Sequence, residues 1–162
     1  MKIILLLLIF FQSSDRCQLP ERLDLYLKRN AENWELINPN DLVTDWSNFM
    51  SKQKCPSLVT ADFNGDGHID YCGLFKKNAK YKLMIIEGDG KSFSIKYNED
   101  IEYGIYDGGL GVGIELENSG NVQGLRKQVY IRNAHIGVLK FESSKHIIYF
   151  DKGKYNELYV SD

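Results

Sequence analysis

Basic residues are not in excess. Lys and Arg number 20 against 22 Asp and Glu, a net charge of −2 over 162 residues. That balance excludes a protein that holds nucleic acid through a strongly basic surface. Nor is there an apolar run of the roughly 20 residues a membrane-spanning helix needs. The run from Ile3 to Phe11 stops after nine residues. Only three residues are proline, while ten are tyrosine and 12% are aromatic, which favours strands. No internal repeat, low-complexity tract or Asn-x-Ser/Thr sequon is found. With 43% hydrophobic and 26% charged residues, the chain has the makings of one folded domain rather than a disordered segment.

The beginning of the chain reads as an address. Lys2 supplies a positive charge, the apolar run follows, and Gln12-Ser13-Ser14 turns small and polar. That is the layout of a secretory signal peptide over residues 1–14. The chain is therefore expected to be exported, to a periplasmic, cell-envelope or extracellular location, where disulfides can form. Three cysteines, Cys17, Cys55 and Cys72, leave one over. Lipidation of Cys17 is disfavoured, because Arg16 stands where a lipoprotein signal carries a small residue.

Residues 15–56 are expected to be helical. Leu23, Tyr26, Leu27, Ala31 and Trp34 recur at three- and four-residue steps, with Pro20 near the first turn. Asn38-Pro39-Asn40-Asp41 announces a second helix, with Val43, Trp46, Phe49 and Met50 on its buried face. From residue 57 the period becomes two. Strands are expected at Leu58–Ala61, Ile69–Phe75, Tyr81–Glu87, Ser92–Tyr97, Gly113–Glu117, Gln128–Arg132, Gly137–Glu142, His146–Phe150 and Glu157–Val160. Between them lie turn signals such as Gly88-Asp89-Gly90, Asn118-Ser119-Gly120 and Asp151-Lys152-Gly153. The expected fold is α+β: two N-terminal helices packed on a mostly antiparallel meander, residues 57–162, with 15–162 forming one domain.

One segment carries chemistry. Ala61 to Tyr71 reads ADFNGDGHIDY. Asp62, Asn64, Asp66 and Asp70 occupy positions 1, 3, 5 and 9 of a calcium loop, Gly67 occupies position 6, and His68 at position 7 offers its carbonyl. Calcium is a hard cation that takes six to eight oxygens, and alternate residues of a tightly curled loop supply them. Position 12, the bidentate Glu of an EF-hand, is Gly73, and the flanks read as strands rather than helices. The loop is therefore expected to close a β-hairpin.

DFNGDGHIDY resembles the calcium loop of FG-GAP and VCBS-type repeats, which is held between strands. The likeness covers about nine residues and, with one copy present, does not imply a propeller. More loosely, this loop followed by KKNAKYKLMIIEGDGKSF and a closing HIIYFDKGKYNELYVSD is similar to small exported bacterial proteins of uncharacterised function. That resemblance implies secretion and an α+β domain, and brings no catalytic residues.

If Asp62 faces Asp70, paired positions sum to about 132, and Cys72 falls opposite Thr60. Cys55 then lies about 15 Å from Cys72 at ~3.3 Å per residue, beyond the ~7 Å a disulfide allows. Cys17 paired with Cys55 or with Cys72 remains open, with one thiol free. Other signals are weaker. Gly104 to Gly113 is glycine-rich but has neither a Walker Lys nor G-x-G-x-x-G. It is expected to be a flexible loop or bulged strand. His68, His135 and His146 lack ligand spacing and are expected to act independently. Glu115 and Glu117 alternate on a strand, as on a solvated face. The sequence thus points to a calcium-stabilised binding module with a protein partner and no evident catalytic site. An inhibitor or immunity-type protein directed at a toxin or hydrolase is the alternative, and a hydrolase using the 104–113 loop is the less favoured third reading.

Overall fold

The computed structural model describes residues 17–43, 55–102, 104–106, 109–140 and 144–160. The signal-peptide reading and Trp46, Phe49 and Met50 lie outside these residues, as do residues 107 and 108 of the glycine-rich segment. Most of the described chain is antiparallel strand.

Two sheets face each other. The first has five strands. β1 (Glu35–Leu36) and β2 (Leu58–Ala61) both pair with β3 (Asp70–Lys77), which pairs with β4 (Lys80–Gly88), which pairs with β5 (Phe93–Ile101). The second runs β13 (Lys154–Val160), β12 (Lys145–Asp151), β11 (His135–Lys140), β8 (Val112–Glu117). Two short hairpins are added: β6 (Ile105–Tyr106) with β7 (Gly109–Leu110), and β9 (Gly120–Gln123) with β10 (Gln128–Ile131).

The alternation of side chains explains the layers. On β3, Cys72 and Leu74 enter the main core while Phe75 faces the opposite way; on β4, Leu83 and Ile85 oppose Met84 and Ile86. These strands read as near-continuous apolar runs because both faces of the first sheet are covered. The main core unites them with Val112, Ile114, Ile136, Val138 and Ile148 of the second sheet. On the outer face of the first sheet, Leu23, Leu27 and Ala31 from helix α1 (Glu21–Asn30) pack on Phe75, Met84 and Ile86. A third, smaller cluster of Ile131, Ile147, Tyr149 and Leu158 receives Val122 and Val129 of the β9–β10 hairpin.

The expectation of two N-terminal helices is overturned. Among the described residues only α1 forms, together with a single 3-10 turn at Pro39–Asp41. The helix ends because Glu32 and Asn33 take positive φ angles of 48° and 63°, turning Trp34 out of the helical stripe and into the approach to β1. The second start signal is locally correct: the Asn38 side chain accepts a hydrogen bond from the Asn40 N–H at 3.0 Å. It is then overruled. Leu42 is extended, 4% exposed in the main core and bridged to Leu110. Burial and strand pairing of Leu42 outweigh a capping preference of about 1 kcal/mol. The sheet is also not one meander but two sheets, since β8 leaves the first and β9–β10 interrupts the second.

Cys17 and Cys55 are disulfide-bonded, with Cα atoms 5.2 Å apart, and Cys72 is a buried free thiol. The bridge ties the segment entering α1 to the segment entering β2. Cys55–Cys72 pairing is absent, as the spacing argument expected. The hairpin register differs from that argument by one residue: Ala61 faces Asp70 and Val59 faces Cys72. Among the described residues no helix is long and apolar enough to cross a membrane.

Candidate functional site

The loop between β2 and β3 is wound around the Asp62 side chain. Asp62 Oδ1 accepts hydrogen bonds from the N–H groups of Gly65 and Asp66 at 2.7 and 3.1 Å, and Oδ2 accepts from Gly67 at 2.8 Å. Asn64 Oδ1 accepts from the Asp66 N–H at 2.9 Å, and Asp66 Oδ1 accepts from His68 at 2.8 Å. These side chains serve as turn formers, the ordinary local chemistry of Asp and Asn. Gly65 and Gly67 have φ angles of 81° and 86°, a left-handed conformation that costs glycine nothing.

The structure therefore brings Asp62, Asn64 and Asp66 together at one tight turn. Asp70 is set apart. It is fully buried and anchors the hairpin base, its two oxygens accepting from the N–H groups of Phe63 at 2.9 Å and Gly88 at 3.1 Å. Burial raises its pKa to about 6, against the opposing pull of the Gly88 and Phe63 N–H groups. Asp66 moves the other way: the His68 N–H and the Asn64 amide hold its carboxyl below the usual range. Nearby Asp89 is pulled to about 2 by the N–H and hydroxyl of Ser92 and the N–H of Lys91. No Lys or Arg forms an ion pair with Asp62, Asp66 or Asp70 among the described residues. Nor, among those residues, do three His, Cys, Asp or Glu side chains gather into a group that would hold a metal.

The loop also reaches the second sheet. Asn133, between β10 and β11, donates through Nδ2 to the Phe63 carbonyl at 3.1 Å. A Cβ at Gly65 would lie 2.9 Å from the same Nδ2. Phe63 itself is 1% exposed in the main core. The turn is thus fastened to both sheets, which no motif in the sequence announced.

A second cluster escaped the sequence reading. Glu115 and Glu117 are not on a freely solvated face. Lys145 Nζ lies 2.7 Å from Glu115 Oε1 and 2.5 Å from Glu117 Oε1. His135, 1% exposed, places Nε2 3.5 Å from Glu117 Oε2, and among the described residues neither ring nitrogen has a hydrogen-bond partner. Burial alone would raise the Glu117 pKa, but His135 and Lys145 outweigh it and hold it lowered. The only sequence clue was Gly137, whose pairing with Glu115 leaves room for these side chains. A Cβ there would lie 2.5 Å from Glu117 Oε1 and 2.9 Å from Glu115 Cγ.

The glycine-rich segment is occupied structurally. Leu110 and Val112 are fully buried, and a Cβ on Gly109 would lie 2.4 Å from the Asp41 carbonyl oxygen. His146 is set in a different environment from His68 and His135, and burial lowers its pKa.

No protein-family model, no curated protein and no solved structure matches the chain. The likeness of the 62–70 loop to FG-GAP and VCBS-type loops rests on the loop's own residues.

Proposed function

We propose that the chain is an exported binding module, stabilised when its 62–70 loop takes up calcium. The loop supplies hard oxygen donors at one turn: Asp62, Asn64, Asp66 and the His68 carbonyl, with Asp70 holding the loop ends together and available as the fifth group. The single observation that carries this reading is a turn rich in carboxylate with no cationic side chain paired to it among the described residues. A divalent cation would relieve the repulsion among Asp62, Asp66 and Asp70. The donor set suits a hard cation, while the existing hydrogen bonds already shape the turn, so the expected affinity is modest, with a Kd on the order of 0.1–1 mM. The Cys17–Cys55 disulfide supports an oxidising, exported setting.

The test is a thermal melt in about 10 mM calcium and in chelator, beside Asp66→Ala. At 10 to 100 times its Kd the site contributes about 1.4–2.7 kcal/mol. At about 2–4 °C per kcal/mol for a domain of this size, the midpoint rises by about 3–11 °C. Asp66→Ala should remove that rise. Coincident curves would reduce the loop to a turn.

A further inference from the structure

On the far side of the 62–70 loop lies an open cleft of about 740 Å³, formed where Asn64, Tyr130, Arg132, Asn133, Asp151 and Lys152 come together. Its volume falls within the ~300–1,000 Å³ of small-ligand sites. Three elements build it: the edge of the loop, the end of β10 with the residues after it, and the β12–β13 turn, where Lys152 (φ 52°) and Gly153 (φ 79°) reverse the chain.

The lining is unlike the rest of the surface. Between Asn118 and Lys140 the sequence has no Asp or Glu, whereas the chain as a whole is acidic. Arg132 and Lys152 are both exposed, and neither forms an ion pair among the described residues. Tyr130 is 65% exposed, so its ring is open to a ligand. Its backbone is held in the β9–β10 ladder opposite Asn121, so the ring is a platform on a fixed strand. Asn133 is likewise fixed, through its bond to the Phe63 carbonyl.

We propose that this cleft binds an acidic oligosaccharide, one whose sugar rings carry carboxylate or sulfate. Tyr130 supplies a flat apolar surface for the ring face. Arg132 and Lys152 attract the anionic group, Arg through a planar fork matched to carboxylate. Asn133 and the Asp151 carboxylate provide donors and acceptors for hydroxyl groups, which need both. The Asp151 carboxylate accepts from sugar hydroxyls, and a chain of net charge −2 lacks the basic excess that holds a nucleic-acid backbone. The site does not require the metal, since its walls are held by Asn133 and by strand pairing, so it extends the calcium reading without depending on it.

The test is calorimetric titration of the full mature chain with a glucuronate-containing tetrasaccharide, a sulfated tetrasaccharide, neutral maltotetraose and a ten-residue oligothymidylate, each in calcium and in chelator. The expected result is binding of at least one acidic sugar at least tenfold tighter than maltotetraose and the oligonucleotide, in both buffers. Tyr130→Ala and Arg132→Ala should each weaken it about tenfold, while Tyr130→Phe retains it. Circular dichroism melts of the variants show whether they fold; both side chains are exposed, so their midpoints should match wild type. The proposal is overturned by no binding of either acidic sugar, by variants that fold and bind like wild type, or by tighter binding of the oligonucleotide. Loss of sugar binding in chelator alone would overturn the claim that the cleft stands without the metal. Failure of the calcium melt with sugar binding intact would remove only the metal reading.

Discussion

Reducing the Cys17–Cys55 bridge should cost about 4 kcal/mol. The two residues are 38 apart. In the chain-entropy model, closing a loop of that length removes about 13 cal/mol/K from the unfolded ensemble, or about 4 kcal/mol at 25 °C. For a domain of this size the loss lowers Tm by about 8–16 °C. The effect should be concentrated at the N-terminal layer, because the bridge precedes α1, whose Leu23 and Leu27 are held only by packing on the first sheet. Urea unfolding of the oxidised chain, the reduced chain and a Cys17→Ser/Cys55→Ser variant measures it. A thiol count supplies the control. Cys72 is fully buried, and burial pushes its thiol pKa far up, so the folded oxidised chain should not react with a thiol reagent. One equivalent should appear on unfolding. Two or more reactive thiols in the folded chain would refute the pairing. A reduced chain within about 2 °C of the oxidised one would refute the energetic argument.

Asp70 predicts a pH dependence of stability in chelator. Its pKa of about 6 in the folded state exceeds the ~3.9 of an unfolded chain, so the folded state binds the extra proton between about pH 4 and 6. Its contribution therefore falls as pH rises through that window, by about 3 kcal/mol in all. The difference in unfolding free energy between wild type and Asp70→Asn, measured at pH 4, 5, 6 and 7, should shrink accordingly; a flat or growing difference would contradict it. Gly137→Ala should cost about 1–3 kcal/mol, because the added methyl meets Glu117, Glu115 and Lys145. Removing the Glu117 side chain in the same background should recover part of that loss, and a melt showing equal costs in both backgrounds would argue against the clash.

The local chemistry was legible where it was self-contained. The strand–turn–strand at Leu58 to Phe75 depends on residues within a few positions of each other: Asp62 bonding forward to Gly65–Gly67, glycines at positive φ, and apolar alternation on either side. Asn38 likewise capped its turn as its sequence suggested. Errors arose where a distant segment competed. The 38–41 signal should have opened a helix, but Leu42 was recruited to Leu110, 68 positions away in the chain. Trp34 fitted the helical stripe and does pack against the Leu23, Leu27 and Ala31 cluster, but from beyond the helix, after the positive φ angles of Glu32 and Asn33. Glu115 and Glu117 read as solvated because period-two alternation does not say what covers the polar face. His135 and Lys145 supplied the answer from other strands.

By itself, then, the sequence determined the longer strands from residue 58 onward, though not the short β1, β6, β7 and β9, together with the turn at residues 62–70 and the exclusion of a Cys55–Cys72 bridge. All three follow from periodicity, turn preferences and chain reach, which act over short spans. Only the tertiary structure decided that two sheets enclose the main core and that Asp70 is buried, accepting from the Phe63 and Gly88 N–H groups. It alone placed Tyr130, Arg132 and Lys152 beside the loop. Those outcomes depend on which distant faces meet. Burial of apolar area is non-directional, so the pattern of one strand shows that it has a face to hide without naming the partner that will hide it.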